Sequence, residues 1–156
     1  MAYAETTTVP FDHSIAECFE ILRKAGATGL GQEESPDGTK FAVRFFMGDR
    51  MIRFILPMPS IDDAPQYDGR RRTLTTAQRM TKINQMQRQR GRALMLVIKA
   101  KLESIESGIE TLEQAFLANI VMADGATVFD RVQEPIALEY RTGQVAPAFL
   151  LEGPKG

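Results

Sequence analysis

The segment from Gly69 to Leu102 constrains the fold of this chain more than any other. It holds ten basic residues (Arg70, Arg71, Arg72, Arg79, Lys82, Arg88, Arg90, Arg92, Lys99 and Lys101) and no Asp or Glu. The whole chain carries 19 basic and 20 acidic residues, so a formal net charge of −1 hides a marked internal asymmetry. The same segment has the period of one long helix beginning near 73–76. Leu74, Ala77, Met80, Ile83 and Met86 recur at steps of three, and Leu94, Val97, Ile98, Leu102 and Ile105 continue at steps of three and four. Between the two sets, Gln87 to Arg92 is polar apart from Gly91. The helix therefore either exposes a middle turn or breaks at Gly91, where glycine costs about 1 kcal/mol relative to alanine.

The rest of the chain supplies the partners for this helix. Residues 1–12, with Pro10, read as an extended arm. Asp12 or Ser14 can cap a first helix over about 13–25, which places Ile15, Cys18, Phe19 and Leu22 on one face and stops at Gly26. Three strands follow, near 28–34, 40–47 and 50–56. Gly29 and Gly31 weaken the first, and Ser35 to Gly38 is a turn. Gly48-Asp49 suits a two-residue hairpin turn with glycine first.

That turn dictates a register. Phe45 faces Ile52, Val43 faces Phe54 and Phe41 faces Leu56 on the core side. The other side pairs Phe46 with Met51, Ala42 with Ile55, and Arg44 with Arg53. Two arginines directly opposed repel by some tenths of a kcal/mol, which calls for an acidic group of the chain or an anionic ligand beside them.

Pro57, Pro59 and Pro65 end the sheet and open a polar loop with Asp62, Asp63 and Asp68. Beyond the long helix, which ends near Glu106, Ser107 to Glu110 and Thr111 to Gln114 each fit a capping box, and a shorter helix covers about 109–120. Residues 118–122 and 127–129 can instead pair as short strands around Ala123-Asp124-Gly125. Pro135 suits the first turn of a last helix through Tyr140, stopped by Gly143. The expected architecture is α+β, with one domain over 13–145 between an N-terminal arm (1–12) and a C-terminal tail (146–156). A three-stranded antiparallel meander packs on one side against the first helix and the long basic helix, with shorter helices completing the core.

At 156 residues the chain is long enough to bury such a core without disulfides or metal. Cys18 is the only cysteine, which favours a reducing compartment. The N-terminus lacks the basic and apolar regions of a secretory signal, and the longest apolar run, 93–98, is too short to span a bilayer. A cytoplasmic protein is expected.

No catalytic pattern emerges. His13 and Cys18, five apart on one helix, point to different faces. Asp62, Asp63 and Asp68 read as a solvated loop, and Glu103, Glu106 and Glu110 as a surface stripe, not as metal ligands. Gly29-Leu30-Gly31 lacks the preceding strand, further glycines and lysine of a phosphate loop. Neither enzymatic activity, nor a cofactor, nor a metal is expected.

The runs Arg92 to Ile109 (RALMLVIKAKLESIESGI) and Phe116 to Val128 (FLANIVMADGATV), with Thr8-Val9-Pro10 and Arg53 to Pro57, resemble a family of small, mostly uncharacterised bacteriophage and prophage proteins. The resemblance implies a phage setting and a location in the bacterial host cytoplasm. It transfers no activity and no functional residue. The order of elements is similar to the core of phage-recombinase-type single-strand annealing proteins, a likeness of order alone.

Cations on a helix neutralise phosphates and release counterions. Arg70, Arg71 and Arg72 precede the helix and can close over a nucleic-acid backbone, with Arg79, Lys82, Arg88, Arg90 and Arg92 following along it. Arg44 and Arg53 flank Phe46, which would stack on a base. The functional expectation is a phage-encoded nucleic-acid-binding protein, favouring single-stranded DNA for binding or annealing in replication or recombination. Met and Ile at three-residue steps invite self-association, so a homo-oligomer is expected. Two alternatives remain open. The cations can pair with the acidic remainder of the chain. The protein can also be a counter-defence inhibitor that grips a host protein, or a sponge for a signalling nucleotide.

Overall fold

The computed structural model describes residues 4–149; the ends of the expected arm (1–3) and tail (150–156) lie outside the described residues. Helix α1 (Phe11–Lys24) is followed by strands β1 (Thr28–Glu34), β2 (Lys40–Met47) and β3 (Arg50–Pro57) in one antiparallel sheet of order β1-β2-β3. Helices α2 (Thr76–Glu106), α3 (Leu112–Phe116) and α4 (Val128–Thr142) follow, with short 3-10 turns at Ile61–Asp63, Leu117–Asn119 and Pro147–Phe149. This is the α+β meander on a long basic helix that the sequence predicts.

The hairpin register is the one the turn dictates, from Lys40 opposite Pro57 to Met47 opposite Arg50. Gly48 has φ +62° and Asp49 does not enter the positive region, which matches the Gly-first turn. Phe41, Val43, Phe45, Ile52 and Phe54 are buried together with Ile15, Cys18 and Leu22 of α1, Leu94, Met95 and Ile98 of α2, and Phe116 of α3. Phe116 meets Phe45 and Phe54 edge-on, with ring centroids at 5.7 and 6.2 Å. Such contacts add to what burial alone contributes.

Gly91 does not break α2. It is buried where α1 crosses: a Cβ there would lie 2.8 Å from Cδ2 of Phe11, 3.2 Å from Cβ of Ser14 and 3.3 Å from the Phe11 carbonyl oxygen. The polar middle of α2 is therefore a helix crossing, and glycine lets the two backbones approach. α2 begins with a capping box in which the Thr75 hydroxyl accepts from the Gln78 N–H and the Gln78 side chain accepts from the Thr75 N–H.

Several expectations shift. α1 starts at Phe11, so the described arm is shorter than predicted. Ser107 closes α2 instead of opening a new helix, its hydroxyl donating to the Glu103 carbonyl. Thr111 and Gln114 form the real box, and α3 is only five residues before a 3-10 turn at Leu117–Asn119. Ile120 then bridges Ile52, and the Val121 N–H donates to the Met51 carbonyl, so residues 120–121 line the free edge of β3. Pro135 sits inside α4, not in its first turn. The helix starts earlier because Thr127 and Asp130 cap it reciprocally, and Gly143 (φ +69°) stops it. The tail does not leave the body at 146: Ala146 is buried, its N–H donating to a Glu139 carboxylate oxygen.

Candidate nucleic-acid interface

The cations nearest the start of α2 stand on a small hairpin of their own. Tyr67 bridges Thr73, the Asp68 N–H donates to the Arg72 carbonyl, and the Arg71 N–H donates to the Asp68 carbonyl at 3.0 Å. Asp68 holds the turn from within. Its Oδ1 accepts from the N–H groups of Arg70 and Arg72, both at 2.8 Å, and its Oδ2 accepts from Nε of Arg72 at 2.8 Å. These bonds, the Arg72 N–H first, keep the Asp68 carboxyl below the usual carboxylate range, and the Lys82 charge adds to them. Arg71 takes φ +59°, the one positive φ of a non-glycine residue among those described. This left-handed residue turns the tip outward, with Arg70 and Arg71 exposed.

Along α2 the cations are held in different ways. Arg92 pairs with Glu17 of α1 at 2.9 Å. Arg79 donates to the carbonyls of Ile61 and Ala64 and ties down the loop after β3, while Arg90 donates to the carbonyl of Pro57, the last residue of that strand. Arg88 donates twice to the Gln85 side-chain oxygen, and the Gln85 amide donates to the Glu5 and Thr7 carbonyls of the arm. Lys101 donates to the Ala115 carbonyl at 2.6 Å and lies over the Phe116 ring. Of the ten cations, Arg72 and Arg92 meet carboxylates of the described residues. Arg79, Arg88, Arg90 and Lys101 bond to neutral oxygens, which fix the group without cancelling its charge. Arg70, Arg71, Lys82 and Lys99 have no side-chain partner among the described residues.

The remaining predicted residues lie elsewhere. Arg44, Phe46 and Arg53 occupy the sheet face opposite the one that α1 and α2 cover. The opposed arginines are separated by backbone acceptors that their spacing does not reveal: Arg44 donates to the Gly29 carbonyl at 3.2 Å and Arg53 to that of Gly125 at 2.9 Å. The Arg53 charge also helps depress Asp130, after the larger effect of the Thr127 backbone N–H. Phe46 is half-buried and lies over Gly29, where a Cβ would come within 2.7 Å of its ring. The eleven predicted residues thus form two surfaces, not one.

Sequence reasoning missed Tyr67. It is 57% exposed on the same hairpin as the arginine triplet, an aromatic beside positive charge. A Tyr three residues before an Arg run was the available signal. Cys18 is fully buried, and burial pushes its thiol up to about 12, so it stays protonated at neutral pH. His13 is exposed on the neighbouring turn. Among the described residues no group of three or more His, Cys, Asp or Glu is placed to hold a metal, and no helix is long and apolar enough to cross a membrane. No family model, curated protein or solved structure matches the chain.

Proposed function

We propose that this is a nucleic-acid-binding protein, encoded by a phage and acting in the host cytoplasm, whose binding surface is the 66–74 hairpin and the first half of α2. One observation carries this reading: between Gln66 and Arg92 the chain has eight cations and one carboxylate, and that carboxylate is spent on shaping the hairpin that presents the cations. Arg70, Arg71 and Lys82 bind phosphate directly, while Arg79, Arg88 and Arg90 contribute field from fixed positions. Tyr67 offers a face for a base to stack on, at a contribution of about 1–3 kcal/mol. A polynucleotide that lacks its complement exposes such faces, so single-stranded DNA is the favoured ligand, and annealing the favoured task.

The test is a mobility-shift titration of the full chain with single-stranded DNA, double-stranded DNA and RNA at two salt concentrations. Affinity should rise with oligonucleotide length and fall steeply with salt. Replacing Arg70, Arg71 and Arg72 together by Glu should abolish the shift, and Tyr67→Ala should weaken single-strand binding more than duplex binding. Unchanged binding in the triple variant would remove the hairpin from the interface. Tight binding of a single nucleotide with indifference to long strands would replace this reading with a messenger sponge, and co-purification of a host protein with an inhibitor.

A further inference from the structure

Helix α4 spans 15 residues and buries none of them. One face carries Val128, Val132, Pro135 and Leu138, half-buried against the turns at Leu117–Asn119 and Pro147–Phe149. A second apolar stripe runs beside it. Phe129, Ile136 and Tyr140 are 50, 42 and 91% exposed, and at 100° per residue they fall within about 40° of one another, with Gln133 on the same line. Within the described residues nothing covers this stripe. Its order is nearly unchanged when the helix is reversed: Phe129 takes the level of Tyr140, and Gln133 that of Ile136. Asp130 and Arg141 lie on one flank of the stripe, at opposite ends of the helix.

We infer that α4 is the self-association surface of this protein and pairs antiparallel with α4 of a second copy about a two-fold axis near residues 134–135. Antiparallel pairing sets like flanks side by side, so Asp130 of each copy approaches Arg141 of the other, and the two helix dipoles oppose. Parallel pairing gives neither benefit. Phe129 of each copy meets Tyr140 of its partner beside an open groove of about 380 Å³ lined by Glu139, Tyr140, Gly143, Gln144 and Val145, in which Val145 is also exposed. Glu134, on the same flank beside the axis, meets its own counterpart there, one like-charge contact against two Asp130–Arg141 pairs, and this balance together with the apolar order favours a second copy over an unrelated partner. A helix of this length is about 22 Å long, so the interface is of the small class and the dimer dissociates in the micromolar range.

Sedimentation equilibrium of the full chain from about 1 to 100 µM follows that range directly. A monomer–dimer equilibrium is expected. Ile136→Glu should raise the dissociation constant at least tenfold while leaving the circular dichroism spectrum unchanged, and Arg141→Glu should raise it less. Direction is read by cysteine pairing under mild oxidation, with buried Cys18 silent. Phe129→Cys mixed with Tyr140→Cys should form the mixed disulfide, and Tyr140→Cys alone should form no homodisulfide. A strict monomer across the range overturns the inference. So does a homodisulfide of Tyr140→Cys, or an Ile136→Glu variant that alters melting without altering mass, which would mean that the stripe is covered within its own chain.

Discussion

The two halves of α2 share one backbone and do different work. From Gly91 to Glu106 the helix is part of the core: Gly91, Leu94, Met95 and Ile98 are buried against α1 and the sheet. From Thr76 to Arg90 only Ile83 is buried, and the helix is held by its own side chains reaching to backbone carbonyls of the end of β3 and the loop after it on one side and, through Gln85, of the arm on the other. The first design draws stability from apolar area, the second from polar ties that leave positive charge in place. A helix can thus be anchored at one end and serve as a charged platform at the other, without a domain boundary between them.

The comparison breaks most readily in the core half. Ile98→Ala, at a fully buried position, should cost roughly 2–5 kcal/mol in denaturant unfolding. Ile83→Ala should cost less, because the surrounding loop can settle onto the smaller side chain; equal losses would show that both halves are core. Gly91→Ala is next. In an exposed helix it would stabilise by about 1 kcal/mol, but the Phe11 ring and carbonyl stand where the methyl group must go, and a net loss of about 1–3 kcal/mol is expected. A gain in stability would mean that α1 is free to move away.

The platform half answers to smaller changes. Thr75→Ala removes the hydroxyl that accepts from the Gln78 N–H and should cost about 1 kcal/mol. Hydrogen exchange should locate that loss in residues 76–90, not in 91–106, and uniform acceleration would show one cooperative unit. The smallest effect is local. Asp68 is depressed in the fold, so its hold on the hairpin is fully present above the ordinary carboxylate pKa of about 3.9 and is lost as pH falls through its own lower value. The Arg70 and Arg72 amide resonances should report a midpoint below the ordinary one. A midpoint at or above it would remove Asp68 as the clasp.

What could be read from residues alone followed the range of the interactions involved. Gly48-Asp49 is a local signal, and every pair of the hairpin follows from it. The caps at Thr75 and Thr111 are local as well. Gly91 misled because its reason is Phe11, which lies far away in sequence. Pro135 misled because the helix start is set by the Thr127–Asp130 box, which opens eight residues before it. At the candidate site the charge was legible, but its sorting was not. Carbonyls accept from Arg44, Arg53, Arg79 and Arg90, and no side-chain pattern announces a carbonyl.

The two borders of the sheet have a consequence for assembly. Along β3 the strand-like piece at 120–121 meets the edge at Met51 and Ile52, and the Asn119 amide donates to the Arg53 carbonyl. Along β1 the register slips between Thr28 and Gly31, Gly29 bends at φ +58°, and Glu33 and Glu34 put like charges at the far end. A stranger's strand finds no full-length straight template on either side. Growth into fibres by edge addition is thereby discouraged.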